Sequence, residues 1–432
     1  MFAGAGISKS DDPFTAGKEA VEMAVKEMRR KGGKNPTFGL VFCSGGKYGK
    51  SDKTIRKLVD GAHSVFGNTP WVGCTTVGEI SNYGATTDSC VAMTIGSEYI
   101  KVGVSSVKYD RKNPEKVGSE LVKTAMENLK IDKYVDAYLS YIRIKKVSPA
   151  EFVKMIPYVF LILGKGPEVT ELPFLPNIYE NEFVLRGAQR ALGTGVKIIG
   201  GAAAGGWECK KNYCFANGEC YSDRMVGVAM FINLFNSIGL AHAYEPTGKI
   251  ATVTDVKDYH WIRKLNGKPA VDVYSELSGI DKEVIKKDPF FASMKSPFAV
   301  KDLMGEYWLK VVGKYFMGGL YTGSIIEKNI PLCLMKLSKD GIINAALNAA
   351  KVGVERMNDK PAFALVFDCG IRKKMLGEKV SKEINTIKSI IGKDTPFLGF
   401  YTFGEFGNPP GSKTLFHNNT IEVFEVFDKL MA

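Results

Sequence analysis

The chain has 432 residues, more than a single hydrophobic core supports, so at least two domains are expected. Hydrophobic residues make up 45% of it and charged residues 24%, which is typical of a folded globular protein and excludes a disordered or fibrous one. The net charge of +12 comes from lysines spread along the chain, without zinc-finger or helix-turn-helix spacing, and so does not indicate a nucleic-acid-binding protein.

The first ten residues lack the basic and apolar regions of a secretory signal, and the most apolar run, residues 156–163, is too short to span a bilayer. We therefore expect a cytoplasmic protein with no membrane partner. The eight cysteines are expected to be reduced, most of them as small buried hydrophobes on strands.

Helices and strands alternate in the first third of the chain. Apolar residues at helical spacing and a capping residue at Ser51 predict the helices, and continuous apolar runs predict the strands. The helices are predicted over 11–30, 51–65 and 115–129, and the strands over 37–43 and 71–74, followed by a hairpin of 89–95 and 100–107.

The same order of elements returns twice along the chain. A weaker version has strands over 158–163 and 197–199, a helix over 180–192, and a strand pair over 225–234 and 238–244. A stronger version has strands over 361–369, 397–401 and 420–427, with a helix over 379–391. Residues 280–325 are expected to be largely irregular, with a strand-like stretch over 308–315.

These patterns predict an α/β fold with mixed sheets. The predicted repeat unit is helix, strand, helix, strand, turn and strand pair, arranged in two pseudo-related halves. A strand-helix-strand crossover requires parallel strands, and the strand pair adds antiparallel ones. The predicted domains are 10–245, with two units, and 246–432, with the third.

A glycine-rich turn follows the second strand of two units. The chain reads Gly73-Cys-Thr-Thr-Val-Gly-Glu79 and later Gly399-Phe-Tyr-Thr-Phe-Gly-Glu405. Glycines after a strand let backbone N–H groups approach a ligand, while threonine and glutamate side chains can bind its polar groups. The candidate ligand residues are therefore Thr76, Gly78, Glu79, Thr402, Gly404 and Glu405. The alternative is that these polar side chains satisfy the turns' own backbone.

Arg372 is a candidate for binding a carboxylate, because it follows the carboxyl end of a predicted parallel strand. With Glu79 or Glu405 binding an amine, the ligand would be a small molecule such as an amino acid. Arg372 in an ordinary ion pair is the alternative. Asn418, beside the last strand, is a further candidate ligand residue.

The cysteines suggest functions other than ligand binding. The chain could be a Cys-dependent hydrolase or transferase that uses Cys74 or Cys369, with His417 as the base. A buried thiol without catalytic function is the alternative, because the position of Cys74 is occupied by Phe400 in the last unit. Cys209, Cys214 and Cys220 could hold a metal, although their spacing is not that of a typical zinc site.

The first part of the chain contains Gly73-Cys-Thr-Thr-Val-Gly-Glu79, Ile199-Gly-Gly-Ala-Ala, Phe215-Ala-Asn-Gly218 and Met225-Val-Gly-Val-Ala. The second part contains Leu265-Asn-Gly-Lys-Pro, Phe367-Asp-Cys-Gly-Ile-Arg372, Gly399-Phe-Tyr-Thr-Phe-Gly-Glu405 and Phe416-His-Asn-Asn-Thr420. In this order the motifs resemble the N-terminal and C-terminal domains of the FIST family, across residues 30–428.

The resemblance implies a sensory module of signal transduction that binds a small ligand such as an amino acid, without a cofactor. A separate output protein is then an expected partner, and an interaction scaffold is a further alternative. The chain departs from the family pattern at Gly205-Gly-Trp-Glu-Cys-Lys and in residues 280–325.

Overall fold

A computed structural model of the chain describes residues 1–131, 140, 143–146, 156–168, 180–193, 195–408 and 413–431. It consists of two compact units. Unit 1 contains Met1–Ala241, Ala346–Leu415 and Ile421–Ala432, and unit 2 contains His242–Ala345 and Phe416–Thr420. Within the described ranges, no helix is both long enough and apolar enough to cross a bilayer.

Two helices of unit 1 begin at side-chain caps, of which the sequence predicted the one at Ser51. Ser51 caps α3 by accepting a hydrogen bond from the backbone N–H of Thr54, and Asp12 caps α1 in the same way through Thr15. The glycine-containing run at 45–48 forms a short helix, α2. The helices are α1 Pro13–Arg30, α2 Gly45–Tyr48, α3 Asp52–Phe66, α4 Pro114–Asn128, α5 Asn181–Leu192, α9 Gly341–Met357 (which begins in unit 2), α10 Gly370–Leu376 and α11 Val380–Ile391.

The strands of unit 1 are short and mostly buried. They are β1 Phe2–Ser8, β2 Phe38–Ser44, β3 Trp71–Thr76, β4 Glu79–Ser81, β5 Gly84–Thr86, β6 Cys90–Gly96, β7 Ile100–Lys108, β8 Tyr158–Gly164, β9 Lys197–Ala202, β10 Cys214–Ala216, β11 Glu219–Tyr221, β12 Arg224–Ile232, β13 Leu234–His242, β22 Phe363–Cys369, β23 Phe397–Thr402, β24 Glu405–Gly407, β25 Leu415–His417 and β26 Thr420–Leu430. The last residue of β13, part of β25 and the first residue of β26 belong to unit 2.

Three mixed sheets organise unit 1 and confirm the predicted fold class. The first sheet has the order β1-β6-β2-β3-β10-β11, the second contains β24-β9-β8-β12-β7, and the third has the order β13-β26-β22-β23-β4-β5. Each contains one parallel pair, β2/β3, β8/β9 or β22/β23, and one strand antiparallel to the first member of that pair.

The predicted hairpin of 89–95 with 100–107 is wrong, and so is the predicted pairing of the strands 225–234 and 238–244. β6 pairs with β1 and β2 in the first sheet, whereas β7 pairs with β12 in the second. Likewise β12 lies in the second sheet and β13 in the third. Strand-like runs and a short link have the same sequence pattern whether the chain turns back or moves to a neighbouring sheet.

Glycine is required where the second parallel strand of each sheet passes the first. A Cβ atom at Gly73 would lie 1.8 Å from the carbonyl oxygen of Val41, and one at Gly399 would lie 1.9 Å from that of Val366. At Gly200 the distance to the carbonyl oxygen of Ile162 would be 2.1 Å. The glycines therefore serve the scaffold, independently of any ligand.

The core of unit 1 lies between the inner faces of the three sheets. The ring of Phe400 is 4.5 Å from that of Phe42 and 5.6 Å from that of Phe367, measured between centroids. A second apolar layer packs α1 and α3 on the outer face of the first sheet.

Unit 2 is an antiparallel sheet with short helices, so the prediction that 280–325 is largely irregular is wrong. Its strands are β14 Tyr244–Lys257, β15 Trp261–Leu265, β16 Lys268–Pro269, β17 Phe298–Lys301, β18 Tyr307–Lys310, β19 Val312–Phe316, β20 Gly319–Thr322 and β21 Pro331–Leu337. Its helices are α6 Ala270–Ser278, α7 Lys282–Lys287 and α8 Pro289–Lys295. Elements of four to seven residues are too short for their periodicity to be recognised in the sequence.

The sheet of unit 2 curls on itself. Its order is β18-β17-β21-β14-β15-β20-β19, and only Val311 separates the two outermost strands, β18 and β19, along the chain. The two ends of the sheet therefore lie side by side around an apolar core.

Candidate functional site

The first turn (residues 76–79) and the third turn (402–405) contain the same hydrogen-bond network. Oγ1 of Thr76 donates to Oε1 of Glu79 across 2.6 Å and accepts from the N–H of Gly78. Oγ1 of Thr402 donates to Oε1 of Glu405 across 2.7 Å, and the N–H of Gly404 donates to Thr402. The sequence thus identified two turns with one structure, and their polar side chains bond locally.

Glu79 is fully buried, and this burial dominates its electrostatics. Desolvation raises the pKa of Glu79 to about 7, although hydrogen bonds from Ser89 and Thr76 and the charge of Lys373 oppose the shift. Oγ of Ser89 donates to Oε2 of Glu79 across 2.5 Å, so both carboxyl oxygens accept hydrogen bonds. Glu79 can therefore change its protonation state near neutral pH while it remains held in place.

The second turn (203–206), which lacks the threonine and glutamate, lies beside the other two. Its Ala204 N–H donates to the carbonyl of Thr75 across 2.7 Å, next to the first turn. Ala202, just before it, donates to the carbonyl of Gly404 in the third turn across 2.9 Å. The third and first turns are joined by Tyr401, whose N–H donates to the carbonyl of Gly78 across 2.8 Å. We call the meeting of these three turns the turn junction.

Lys373, in α10, places a charge on the turn junction. Its Nζ donates to the carbonyl oxygen of Val77 across 3.1 Å and lies 5.0 Å from the ring centroid of Tyr401. Desolvation lowers the pKa of Lys373, while the charges of Glu79 and Asp88 raise it. The sequence analysis selected the neighbouring Arg372 and missed Lys373. The only signal in the sequence for Lys373 was its position as a basic residue shortly after a parallel strand.

Trp207 is the second residue that sequence reasoning missed as a candidate for the site. It is 43% exposed, and its ring centroid lies 6.0 Å from that of Phe403 in an edge-to-face arrangement. A Cβ atom at Gly370 would lie 3.4 Å from the indole ring. Nζ of Lys374 lies 5.8 Å from the ring centroid. The only sequence indication was the departure from the family pattern at 205–210.

Arg372 is buried in an ion-pair cluster instead of facing an open site. Its Nε donates to Oδ1 of Asp368 and one terminal nitrogen donates to Oε1 of Glu383, each across 2.6 Å. Burial alone would lower the pKa of Arg372, but the charges of Asp368 and Glu383 outweigh it and raise that pKa. Desolvation raises the pKa of both carboxyls. A ligand carboxylate at Arg372 would have to displace these partners.

Cys74 is fully buried in the core of unit 1, and desolvation raises the pKa of its thiol well above the usual value. Because most of this thiol stays protonated near neutral pH, it is unsuited to rapid nucleophilic catalysis. Cys369 is also buried, at the end of β22 in unit 1. The proposed base, His417, belongs to unit 2, where its ring centroid lies 4.8 Å from that of Trp308.

Asn418 also belongs to unit 2. Its Oδ1 accepts a hydrogen bond from Oγ of Ser324 across 2.9 Å. Its role as a ligand residue stays a prediction.

The three cysteines considered for a metal do not converge. β10 and β11 form a hairpin whose turn residues, Asn217 and Gly218, both have positive φ. Its register pairs Cys214 with Tyr221 and Cys220 with Phe215, so the two thiols lie on opposite faces and are not cross-strand neighbours. No group of three metal-ligating side chains occurs among the residues that the structure describes.

Comparisons with known proteins identify two domains. The FIST N domain matches residues 37–268 and the FIST C domain matches residues 270–408. No curated protein matched the chain. Among solved structures, the chain is similar to the structure of PurLQS from Thermotoga maritima, with 8% identity, a TM-score of 0.21, and coverage of 98% of this chain and 72% of that one.

Proposed function

Because this chain belongs to the FIST family, whose domains are sensory, ligand-binding domains of signalling proteins, we propose that it binds a small ligand at the turn junction. The observation that supports this location is the meeting of the three glycine-rich turns beside Lys373. The junction lies at the carboxyl ends of the parallel strands, where ligands commonly bind in α/β proteins.

We propose that the ligand carries both a carboxylate and an amine, as an amino acid does. Lys373 supplies a positive charge for the carboxylate. Asp88 is exposed and close enough to affect the pKa of Lys373, so it supplies a negative charge for the amine. The ring of Trp207, partly exposed beside Phe403, supplies an apolar surface for the side chain of the ligand.

The polar residues of the turns have a supporting role in this proposal. Thr76, Glu79, Thr402 and Glu405 are fully buried and bond to one another, so they fix the backbone that the ligand would contact. Arg372 lies in α10 beside Lys373, and its hydrogen bonds to Asp368 and Glu383 hold this helix in place. The shared order of the three sheets supports an internal repeat with three members rather than two halves. A cytoplasmic location and a separate output protein complete the proposal.

Calorimetric titration of the 20 common amino acids, each in turn, against wild type and Lys373→Met tests this proposal. Loss of a charge-assisted hydrogen bond of about 1.5–3 kcal/mol should weaken binding roughly tenfold to a hundredfold. Lys388→Met is the matched control, because Lys388 is also half-buried and donates to a backbone carbonyl, that of Asn82. Equal affinity of Lys373→Met and wild type would refute the role of Lys373, and no binding to wild type would refute the amino-acid ligand.

A further inference from the structure

Cys74 and Cys214 lie directly opposite each other in the antiparallel pair β3/β10. On one side the adjacent pair, Thr75/Tyr213, is hydrogen-bonded, and on the other side so is Trp71/Asn217, three pairs away. Thr75 N–H donates to the carbonyl of Tyr213 across 3.0 Å, and Asn217 N–H donates to that of Trp71 across 2.9 Å. Because hydrogen-bonded and non-hydrogen-bonded pairs alternate, Cys74 and Cys214 form a non-hydrogen-bonded pair.

This position suits a disulfide. Cα atoms of a non-hydrogen-bonded pair are about 4.5 Å apart and their side chains share one face of the sheet. Disulfides join Cα atoms that are about 4.4–6.8 Å apart. Both cysteines are reduced in this structure and both pack in the core of unit 1.

A buried cation lies next to this thiol pair. Lys165 is fully buried, and its Nζ donates to the carbonyl of Asn212, two residues before Cys214, across 2.7 Å. Desolvation raises the pKa of the Cys214 thiol to about 11, and the charge of Lys165 acts against that rise. The charge of Lys165 also acts against the larger rise at Cys74. Lys165 is thus the charge that favours the Cys214 thiolate, the form that oxidants attack, while Glu168, which is ion-paired with Lys165, opposes it.

We propose that Cys74 and Cys214 form a reversible disulfide when the protein meets hydrogen peroxide. The Cys214 thiolate attacks one peroxide oxygen, breaks the O–O bond and becomes a sulfenic acid, while hydroxide leaves and takes up a proton to form water. The Cys74 sulfur then attacks the Cys214 sulfur, the S–S bond forms, and the hydroxyl leaves as a second water with the Cys74 proton. Two thiols are oxidised and one peroxide is reduced.

The disulfide would join two parts of the chain next to the turn junction. β3 leads directly into the first turn, and β10 belongs to a hairpin more than 100 residues further along the chain. Oxidation would therefore fix the hairpin β10–β11 to the strand that carries the first turn.

A second cysteine pair provides an internal control. Cys43 and Cys90 are also directly opposite each other, in β2/β6. The adjacent Ser44 N–H donates to the carbonyl of Ser89 across 3.0 Å, so this pair is also non-hydrogen-bonded. The two pairs differ in the charged residue beside them. Desolvation raises the pKa of Cys43 most, followed by the charges of Cys90 and Glu79. Desolvation and the charge of Glu79 also raise the pKa of Cys90.

The test treats the folded full-length protein with hydrogen peroxide, alkylates the remaining thiols and identifies disulfide-linked peptides by mass spectrometry over time. We expect the Cys74–Cys214 link to form at least about ten times faster than the Cys43–Cys90 link, since a thiolate fraction changes tenfold for each unit of pKa. A thiol reductant should reverse it. A faster Cys43–Cys90 link, or no Cys74–Cys214 link while the circular dichroism of the fold persists, would overturn the proposal.

The role of Lys165 is tested by comparing Lys165→Met with Lys165→Arg. Lys165→Met should slow formation of the Cys74–Cys214 link about tenfold and leave the Cys43–Cys90 link unchanged, while Lys165→Arg keeps the charge and most of the rate. An unchanged rate in Lys165→Met would remove Lys165 from the proposal. Should Lys165→Met fail to fold, the order in which the two links form in wild type still decides whether the proposal holds.

Discussion

The hydroxyl of Thr76 donates a 2.6 Å hydrogen bond to the carboxyl of Glu79, and both side chains are fully buried. Thr76→Val keeps the shape of the side chain but leaves Oε1 of Glu79 without this donor, so we expect a loss of about 1–3 kcal/mol in the free energy of unfolding. Urea unfolding of the variant measures it. Thr76→Ser retains the hydroxyl and serves as the control. If Thr76→Val and Thr76→Ser unfold at the same urea concentration, the hydrogen bond does not stabilise the turn.

Glu79 should make the stability of the protein depend on pH. Burial raises its pKa from 4.5 to about 7 in the folded protein. Between these values the folded state retains a proton that the unfolded state has released, so the stabilisation is complete below about pH 4.5 and is lost as the pH rises to 7. The difference amounts to about 3 kcal/mol at most.

Glu79→Gln cannot titrate and therefore isolates this contribution. We expect its stability relative to wild type to rise between pH 5 and pH 7.5, as wild type loses its share. Thermal unfolding of both proteins across this range measures the difference. A constant difference at every pH would show that Glu79 does not titrate in this window.

The ion pairs of Arg372 lead to a third prediction. Arg372→Met leaves the buried carboxyls of Asp368 and Glu383 without their cation, so it should lower the free energy of unfolding by about 3–5 kcal/mol. Arg372→Lys keeps a charge but cannot bind both carboxylates at once, and an intermediate loss is expected. Chemical denaturation of the three proteins gives the order. Wild-type stability in Arg372→Met would mean that these ion pairs contribute nothing.

The same variants test whether Arg372 binds the ligand directly. If it only supports α10, Arg372→Lys at a temperature where it is folded should bind amino acids within about threefold of wild type. A loss of affinity as large as that expected for Lys373→Met would indicate that Arg372 binds the ligand directly.

Motifs that are repeated along the chain were easier to predict from the sequence than contacts between residues that are far apart in it. The two turns were found because Thr-x-Gly-Glu occurs twice after an apolar strand, and a hydrogen bond between residues three apart depends only on local geometry. The ion pair of Arg372 could be predicted in part from the sequence, since Asp368 lies four residues before it. Its other partner, Glu383, and the contact of Trp207 with Phe403 depend on how distant segments pack, which periodicity does not encode.

Substitutions at Gly399 and Gly73 test whether these glycines are required by the fold or by the ligand. Gly399→Ala would place a Cβ atom 1.9 Å from the carbonyl oxygen of Val366, on a neighbouring backbone that cannot rotate away. We expect a loss of about 1–3 kcal/mol or more in stability, and the same for Gly73→Ala. Thermal unfolding measures both.

Gly313→Ala is the control, because nothing lies within 4 Å of a Cβ atom there and its φ is not positive. Its midpoint of unfolding should stay close to that of wild type. If the role of Gly399 is only to hold the scaffold, amino-acid affinity of folded Gly399→Ala should be reduced no more than its stability explains. Full stability combined with lost binding would instead place the ligand directly against Gly399.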